Sequence, residues 1–225
     1  SPVSRAILFL FIVIMGKINF SDLKHGIGDY KIVRNYYDDW SKDYDKVLKK
    51  WNYTAPYKVA KIFNNKIKPF PKKILDLACG TGLVAEELNK FRKVNIDGAD
   101  LSEKSLKTAY NKKIYNKLFK FNFQKKITSI KNKYQAILCV GSITYCDDFS
   151  FLLNELTNIT SNDAYFIFTH RNDLWKKQNF LKIINHSKDW NIFYIGKSIK
   201  YLPGNKDFAN KIKMKICILK RKNLV

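Results

Sequence analysis

The residues best suited to chemistry form one short run, Ile74-Leu75-Asp76-Leu77-Ala78-Cys79-Gly80-Thr81-Gly82. Gly80 and Gly82 permit a tight turn and let a ligand approach the backbone closely. Gly80-x-Gly82-x-x-Ala85 satisfies a relaxed dinucleotide fingerprint. A dinucleotide, however, rests its pyrophosphate on a helix N-terminus, where a neighbouring carboxylate would repel it. Asp76 lies just before this turn, and a carboxylate there suits a ligand with a positive amino group.

The turn needs a strand before it and a helix after it, and the sequence supplies both. Lys73–Leu77 reads as a short apolar strand, Leu83–Phe91 as a helix, Val94–Ala99 as a strand and Ser102–Asn116 as a helix. Leu118–Asn122 is a weak third strand, Ala136–Val140 a strong fourth, and Phe149–Ile159 a helix. Tyr165–Thr169, the helix Leu174–Asn185, and the strands Ile195–Tyr201 and Ile212–Lys220 complete the chain. Strands alternating with helices predict an α/β fold. The expected form is a Rossmann-like, doubly wound sheet of about seven strands, mostly parallel, with a late antiparallel strand. Ligands in such sheets bind at the carboxyl ends of the strands, where the glycine turn lies. Ahead of the sheet, Val33, Tyr36, Tyr37, Trp40, Tyr44, Val47 and Leu48 recur at helical steps, and Pro56 opens a second helix. The predicted organisation is an apolar arm over residues 1–20, a helical cap over 21–72 and a cofactor-binding core over 73–222.

S-adenosylmethionine has an ammonium, a sulfonium and no phosphate. The run 74–82 resembles the first motif of the class I S-adenosylmethionine-dependent methyltransferases, with Ala78 where Gly is more usual. Asp97-Gly98-Ala99-Asp100-Leu101-Ser102 resembles their second motif. The resemblance implies S-adenosyl-L-methionine as cofactor, with Asp76, Ala78, Gly80, Gly82 and Leu101 around it. Asp100 would accept hydrogen bonds from both ribose hydroxyls. Asn122 stands where the family often has an acidic residue bonding the adenine amino group. Val140 to Ser142 would pass beside the transferable methyl. Tyr37-Asp38-Asp39-Trp40-Ser41-Lys42-Asp43-Tyr44-Asp45 and Trp51-Asn52-Tyr53-Thr54-Ala55-Pro56 resemble the small group that includes the methyltransferase-like protein of the Williams–Beuren region. There this segment caps the cofactor pocket. Trp40, Tyr44 and Tyr53 are therefore expected over the methionine end, where aromatic faces attract a sulfonium. Asp38, Asp39, Asp43 and Asp45 read as a solvated helix face.

A base is needed only if the acceptor must first lose a proton. Tyr145, after the fourth strand, and His170, after the fifth, are the candidates, and His170 has the better intrinsic pKa. His25 and His186 sit in polar surroundings and are assigned no role. Cys79, Cys139, Cys146 and Cys217 form no Cys-x-x-Cys and have no close His, so neither a zinc site nor a disulfide framework is expected. Reduced thiols fit a cytoplasmic location.

The 225 residues suit one well-buried domain, and 46% hydrophobic composition excludes a disordered tail. The formal charge is +23, carried by 37 Lys and only 5 Arg alongside 21 Asn. Nucleic-acid readers favour Arg, so A/T-rich codon bias is the simpler cause; the field still favours acidic partners or substrates. Ala6–Met15 is an apolar run of ten residues, half of what a membrane span requires. The chain opens on Ser1, and three readings of the segment before Met15 stand: a dispensable arm ahead of a translation start at Met15, an ordered packing segment, or a membrane-targeting segment. No membrane association is expected, and oligomeric state is left open. The expected activity is methyl transfer to a small-molecule acceptor. An RNA acceptor drawn to the Lys-rich surface, or cofactor binding without turnover, are the alternatives.

Overall fold

β1 (Ile74–Leu77) is buried along its whole length, as a strand covered on both faces must be. It pairs in parallel with β2 (Ile96–Asp100) on one side and β4 (Tyr134–Cys139) on the other, with Leu75 opposite Asp97 and Ile137. In the computed structural model, which describes residues 30–40, 43–128, 130, 133–209 and 211–223, the sheet order is β3-β2-β1-β4-β5-β8-β6. Here β3 is Leu118–Lys120, β5 Thr160–Arg171, β6 Trp190–Ile195 and β8 Lys213–Arg221. Strand β8 runs antiparallel between β5 and β6, and the two-residue β7 (Ile199–Lys200) also pairs with it. Seven strands form the main path, with β7 as an eighth at its side, and the mostly parallel sheet with a late antiparallel strand is as the sequence predicts.

Eight α-helices are described, numbered here in chain order. Helices α1 (Tyr30–Trp40) and α2 (Tyr44–Lys50) precede α3 (Ala55–Lys66), which carries Pro56 in its first turn. Helices α4 (Leu83–Phe91) and α5 (Glu103–Asn111) follow β1 and β2. Helices α6 (Phe149–Ile159), α7 (Asn172–Lys177) and α8 (Phe180–His186) lie later. Alternate residues of each strand feed two apolar cores. Ile74, Ile96, Ala136, Leu138 and Ile167 pack against Val59, Ala60 and Phe63 of α3 and Val84, Ala85 and Leu88 of α4. Leu75, Leu77, Ile137, Phe166 and Phe168 pack against α6 and α8 on the other face. Thus α3, placed in the cap by the sequence, is a layer of the sheet's own core.

A third cluster joins Trp40, Leu48 and Trp51 to Leu202, Phe208 and Ile212, so the α1–α2 cap docks on the loop before β8. Gly204 makes this fit possible. A side chain there would meet the Lys50 carbonyl at 2.7 Å, and its N–H donates to Trp51 O at 2.9 Å.

Three boundaries differ from the sequence reading. Helix α5 stops at Asn111, and Lys113 takes a positive φ of 54°, which frees Tyr115 to fold back on the sheet. The stretch 174–185 is two helices, broken at Asn179 with φ 51°. The strand expected over 195–201 is two, β6 and β7, separated around Gly196. The arm 1–20, Met15 and His25 lie outside the described residues.

Candidate active site

Parallel strands on both sides of β1 leave a crevice at their carboxyl ends, because the chain crosses to opposite faces there. The glycine turn after β1 opens into that crevice. Ala78, Gly80 and Gly82 have φ values of 57°, 55° and 92°, so three residues of the turn are left-handed. Gly80 has nothing within 4 Å of where a side chain would stand, so its face of the turn is open to a ligand. Ala78 occupies a conformation that costs an L-residue about 1–2 kcal/mol. Ala78→Gly relieves it at some cost in unfolded-chain entropy. The expected net gain is about 0.5–1 kcal/mol, seen as a thermal midpoint raised by roughly 1–4 °C; a lower midpoint would show that the Ala78 methyl is a needed contact.

Asp100 ends β2 beside this turn. Its Oδ2 accepts the Gly80 N–H and its Oδ1 the Ser102 N–H, both at 2.8 Å. Burial holds its carboxyl above the usual range, and the Ser102 and Gly80 N–H groups oppose that. The cleft that opens here, about 980 Å³ including its mouth, is lined by Ala78, Gly80, Asp100, Leu101, Asn122 and Val140, with Tyr44, Tyr53 and Tyr145 at the far end. Asn122 already accepts the Gln124 N–H through Oδ1 at 3.0 Å, which fixes how that amide faces the cleft.

Asp76 is not on the cleft wall. It lies 1% exposed beneath the turn, with Oδ2 accepting the Tyr115 hydroxyl at 2.7 Å and Oδ1 buried without a protein partner. Burial pushes its carboxyl up to about 7, against the Tyr115 bond, which lowers it. Gly82 also lies under the cleft, as the left-handed N-cap of α4, where an added Cβ would stand only 3.0 Å from the Tyr115 ring. Tyr115, read from sequence as part of a helix, is therefore the wedge under both residues.

Two expectations fail on position. Trp40 is 2% exposed in the cap's own core, its ring 4.6 Å from Tyr44 and 5.7 Å from Trp51, so it backs the pocket tyrosines and does not line the cleft. His170 faces the core behind β5, its ring 4.1 Å from Phe180, and burial lowers it to about 4. His170 is not among the residues that line the cleft. Tyr145 does line the cleft, but burial raises its phenol, with Tyr37 and Arg171 opposing, so it is a donor at neutral pH. Cys146 is pushed to about 12, chiefly by burial.

The cap's acidic residues do more than face solvent. Asp45 accepts the Thr81 hydroxyl and the Lys112 ammonium, the latter at 2.8 Å, and Asp38 accepts the Ser102 hydroxyl. The Ser102 and Thr81 bonds fasten α1 and α2 to the loops that form the cleft. Tyr53 reaches Gly141, where an added Cβ would stand 2.8 Å from its hydroxyl; Gly141 has φ 85° and donates its N–H to Thr169 Oγ1. Arg34, assigned no site role from sequence, also lines the cleft, as does Tyr37. Tyr37 was legible as part of the aromatic stripe; Arg34 gave no signal.

Residues 74–163 match the family described as a methyltransferase domain. The chain is 32% identical over 123 residues to human methyltransferase-like protein 27, covering 53% of this chain and 50% of that protein. It thus spans about half the length of that relative. It is 28% identical over 173 residues to a putative methyltransferase of Geobacillus sp. (strain WCH70), covering 71% of this chain and 67% of that one. Among solved structures, the plantazolicin methyltransferase BpumL in complex with SAH aligns with a TM-score of 0.59 at 18% identity, over 90% of this chain and 98% of that one. A putative Haloferax volcanii methyltransferase in complex with the Trm112 activator gives 0.63 at 11% identity, over 83% and 98%. At these identities the structural likeness concerns the fold.

Proposed function

We propose that this chain, whose residues 74–163 match a methyltransferase domain, is a class I S-adenosylmethionine-dependent methyltransferase that transfers a methyl group to a small-molecule acceptor. One observation carries the reading: a single cleft runs from Gly80 and Asp100 to Gly141 and Tyr145. Asp100 has lone pairs left beyond its two backbone bonds and would hold the ribose hydroxyls. Leu101 and Asn122 would border the adenine, and the open face of Gly80 would admit the methionine end. The buried, unpartnered Oδ1 of Asp76 fits a role toward a positive amino group, directly or through a water. The cofactor, when bound, supplies an activated methyl on a cationic sulfur. The protein orients the acceptor and excludes water, and the Tyr44 and Tyr53 faces suit a cation.

The roof supports a small acceptor. Asp38 and Asp45 fasten α1 and α2 across the cleft, which leaves little room for a polymer. S-adenosylhomocysteine at about a hundred times its dissociation constant is expected to stabilise the fold by about 2.7 kcal/mol. That would raise the melting temperature by roughly 5–10 °C. NAD is expected to raise nothing; a shift with NAD and none with S-adenosylhomocysteine overturns the reading. Turnover falling steeply between low and physiological salt would favour an RNA acceptor instead.

A further inference from the structure

We propose that the acceptor is a small carboxylic acid, methylated on its carboxylate oxygen to give an ester. The proposal rests on the methyltransferase reading of the same cleft.

The acceptor end is walled by phenols. Tyr37, Tyr44, Tyr53 and Tyr145 all line it, and burial pushes each phenol up, so none takes a proton near neutral pH. The Cys79 thiol is raised in the same way. Asp100, the one carboxylate among the described lining residues, bonds Gly80 and Ser102 at the end of β2 and has its remaining lone pairs assigned to the ribose. No Lys, His or Glu stands among the described lining residues. An alcohol, a phenol or a protonated amine would need a base at the reacting atom. A carboxylate arrives without a proton at neutral pH.

Charge points the same way. Arg34 lies on the wall, and among the described residues its guanidinium bonds only its neighbour Asn35, at 3.1 and 3.3 Å. Arg171, buried behind the tyrosines and paired with Asp173, draws down the Tyr145 and Tyr201 phenols against their burial. The formal charge of +23 attracts anions to any mouth on the surface. Tyr37 and Tyr145 share a hydroxyl–hydroxyl bond of 3.2 Å. With Tyr37 donating, the Tyr145 proton is available to a carboxylate oxygen.

The carboxylate oxygen forms the new bond to the methyl carbon as the methyl–sulfur bond breaks in line, and that bonding pair leaves on sulfur. No proton moves. One negative and one positive charge disappear together, a change that a buried aromatic cleft favours because it solvates separated charges poorly.

The test incubates the full chain with methyl-labelled S-adenosylmethionine and benzoate, cinnamate, octanoate or succinate, each run beside its amide. Label is expected on at least one acid, about tenfold or more over its amide, and mild alkali is expected to release it as labelled methanol. At saturating cofactor the rate is expected to be flat from pH 8 to 9, above the range in which the Asp76 carboxyl, pushed up to about 7 by burial, titrates. Tyr145→Phe is expected to lower kcat/KM about tenfold while S-adenosylhomocysteine affinity by calorimetry is unchanged. Failure of every acid to take label while S-adenosylhomocysteine binds overturns the proposal. So does alkali-stable label on an acceptor from a metabolite extract, or a rate at saturating cofactor that climbs between pH 8 and 9. Absence of S-adenosylhomocysteine binding overturns the methyltransferase reading itself.

Discussion

Asp100→Ala is expected to weaken S-adenosylhomocysteine binding by roughly ten- to a hundredfold, about 1.5–3 kcal/mol. The effect has two parts. The ribose hydroxyls lose their acceptor, and the Gly80 and Ser102 N–H groups lose theirs. The second part loosens the glycine turn even without ligand, so the apo protein should also melt at a lower temperature. Asp100→Asn separates the two: its amide oxygen still accepts one backbone N–H, while its NH2 faces the other N–H and repels it. Calorimetry with both variants decides. Unchanged affinity in Asp100→Ala would mean that the cofactor does not use the end of β2.

Trp40→Ala tests the roof in a different way. The indole is 2% exposed among Leu48, Trp51, Leu202 and Phe208, with tyrosine rings on the cleft side. Emptying such a site costs about 3–5 kcal/mol. The loss falls on the cap, because Trp40 belongs to the cap's own cluster and not to either core of the sheet. Hydrogen exchange over 44–54 is expected to accelerate by more than a hundredfold, while β1 and β4 stay protected. Binding of S-adenosylhomocysteine is expected to weaken roughly tenfold or more, since a cap that is largely open must first close. A uniform loss of protection across the sheet would show that cap and core unfold as one unit. Unchanged exchange would show that Trp40 contributes no packing.

The aromatic stripe shows where local periodicity misleads. Tyr37, Trp40 and Tyr44 recur at helical steps and look like one face of one helix. In the structure α1 ends at Trp40 and α2 begins at Tyr44, so the three rings are placed by two helices. Tyr37 and Tyr44 turn to the cleft and Trp40 turns to Leu202 and Phe208. The spacing was right about the shared cluster and silent on which side of it the ligand lies. His170 shows a similar limit. A histidine at a strand end is a reasonable base by type and position, but the fifth strand runs on to Arg171 with His170 inside its continuously buried stretch, Phe166 to Arg171. A packed ring of Phe180, from a helix read as one piece with α7, then closes over it.

Asp45, Asp38 and Tyr115 left no chemical signature in the sequence, and each acts on a residue that did. Asp45 lies 36 residues from Thr81, Asp38 lies 64 from Ser102, and Tyr115 lies 39 from Asp76. Nothing local distinguishes an acidic side chain that crosses to a loop from one that faces water. The helix stop at Asn111 that releases Tyr115 is equally invisible, because Lys112 and Lys113 are ordinary helix formers.

By itself the sequence determined the strand–turn–helix around Gly80 and Gly82, the carboxylate at the end of β2, and the alternation that becomes a doubly wound sheet. These depend on contacts between near neighbours: a turn that needs left-handed residues, and strands apolar enough to be covered on both faces. Only the tertiary structure decided which aromatic rings line the cleft, which carboxylates hold the roof down, and that the described lining residues include four phenols and one Arg but no Lys, His or Glu. Those depend on segments far apart in the chain arriving at one place, where burial sets the protonation of each group.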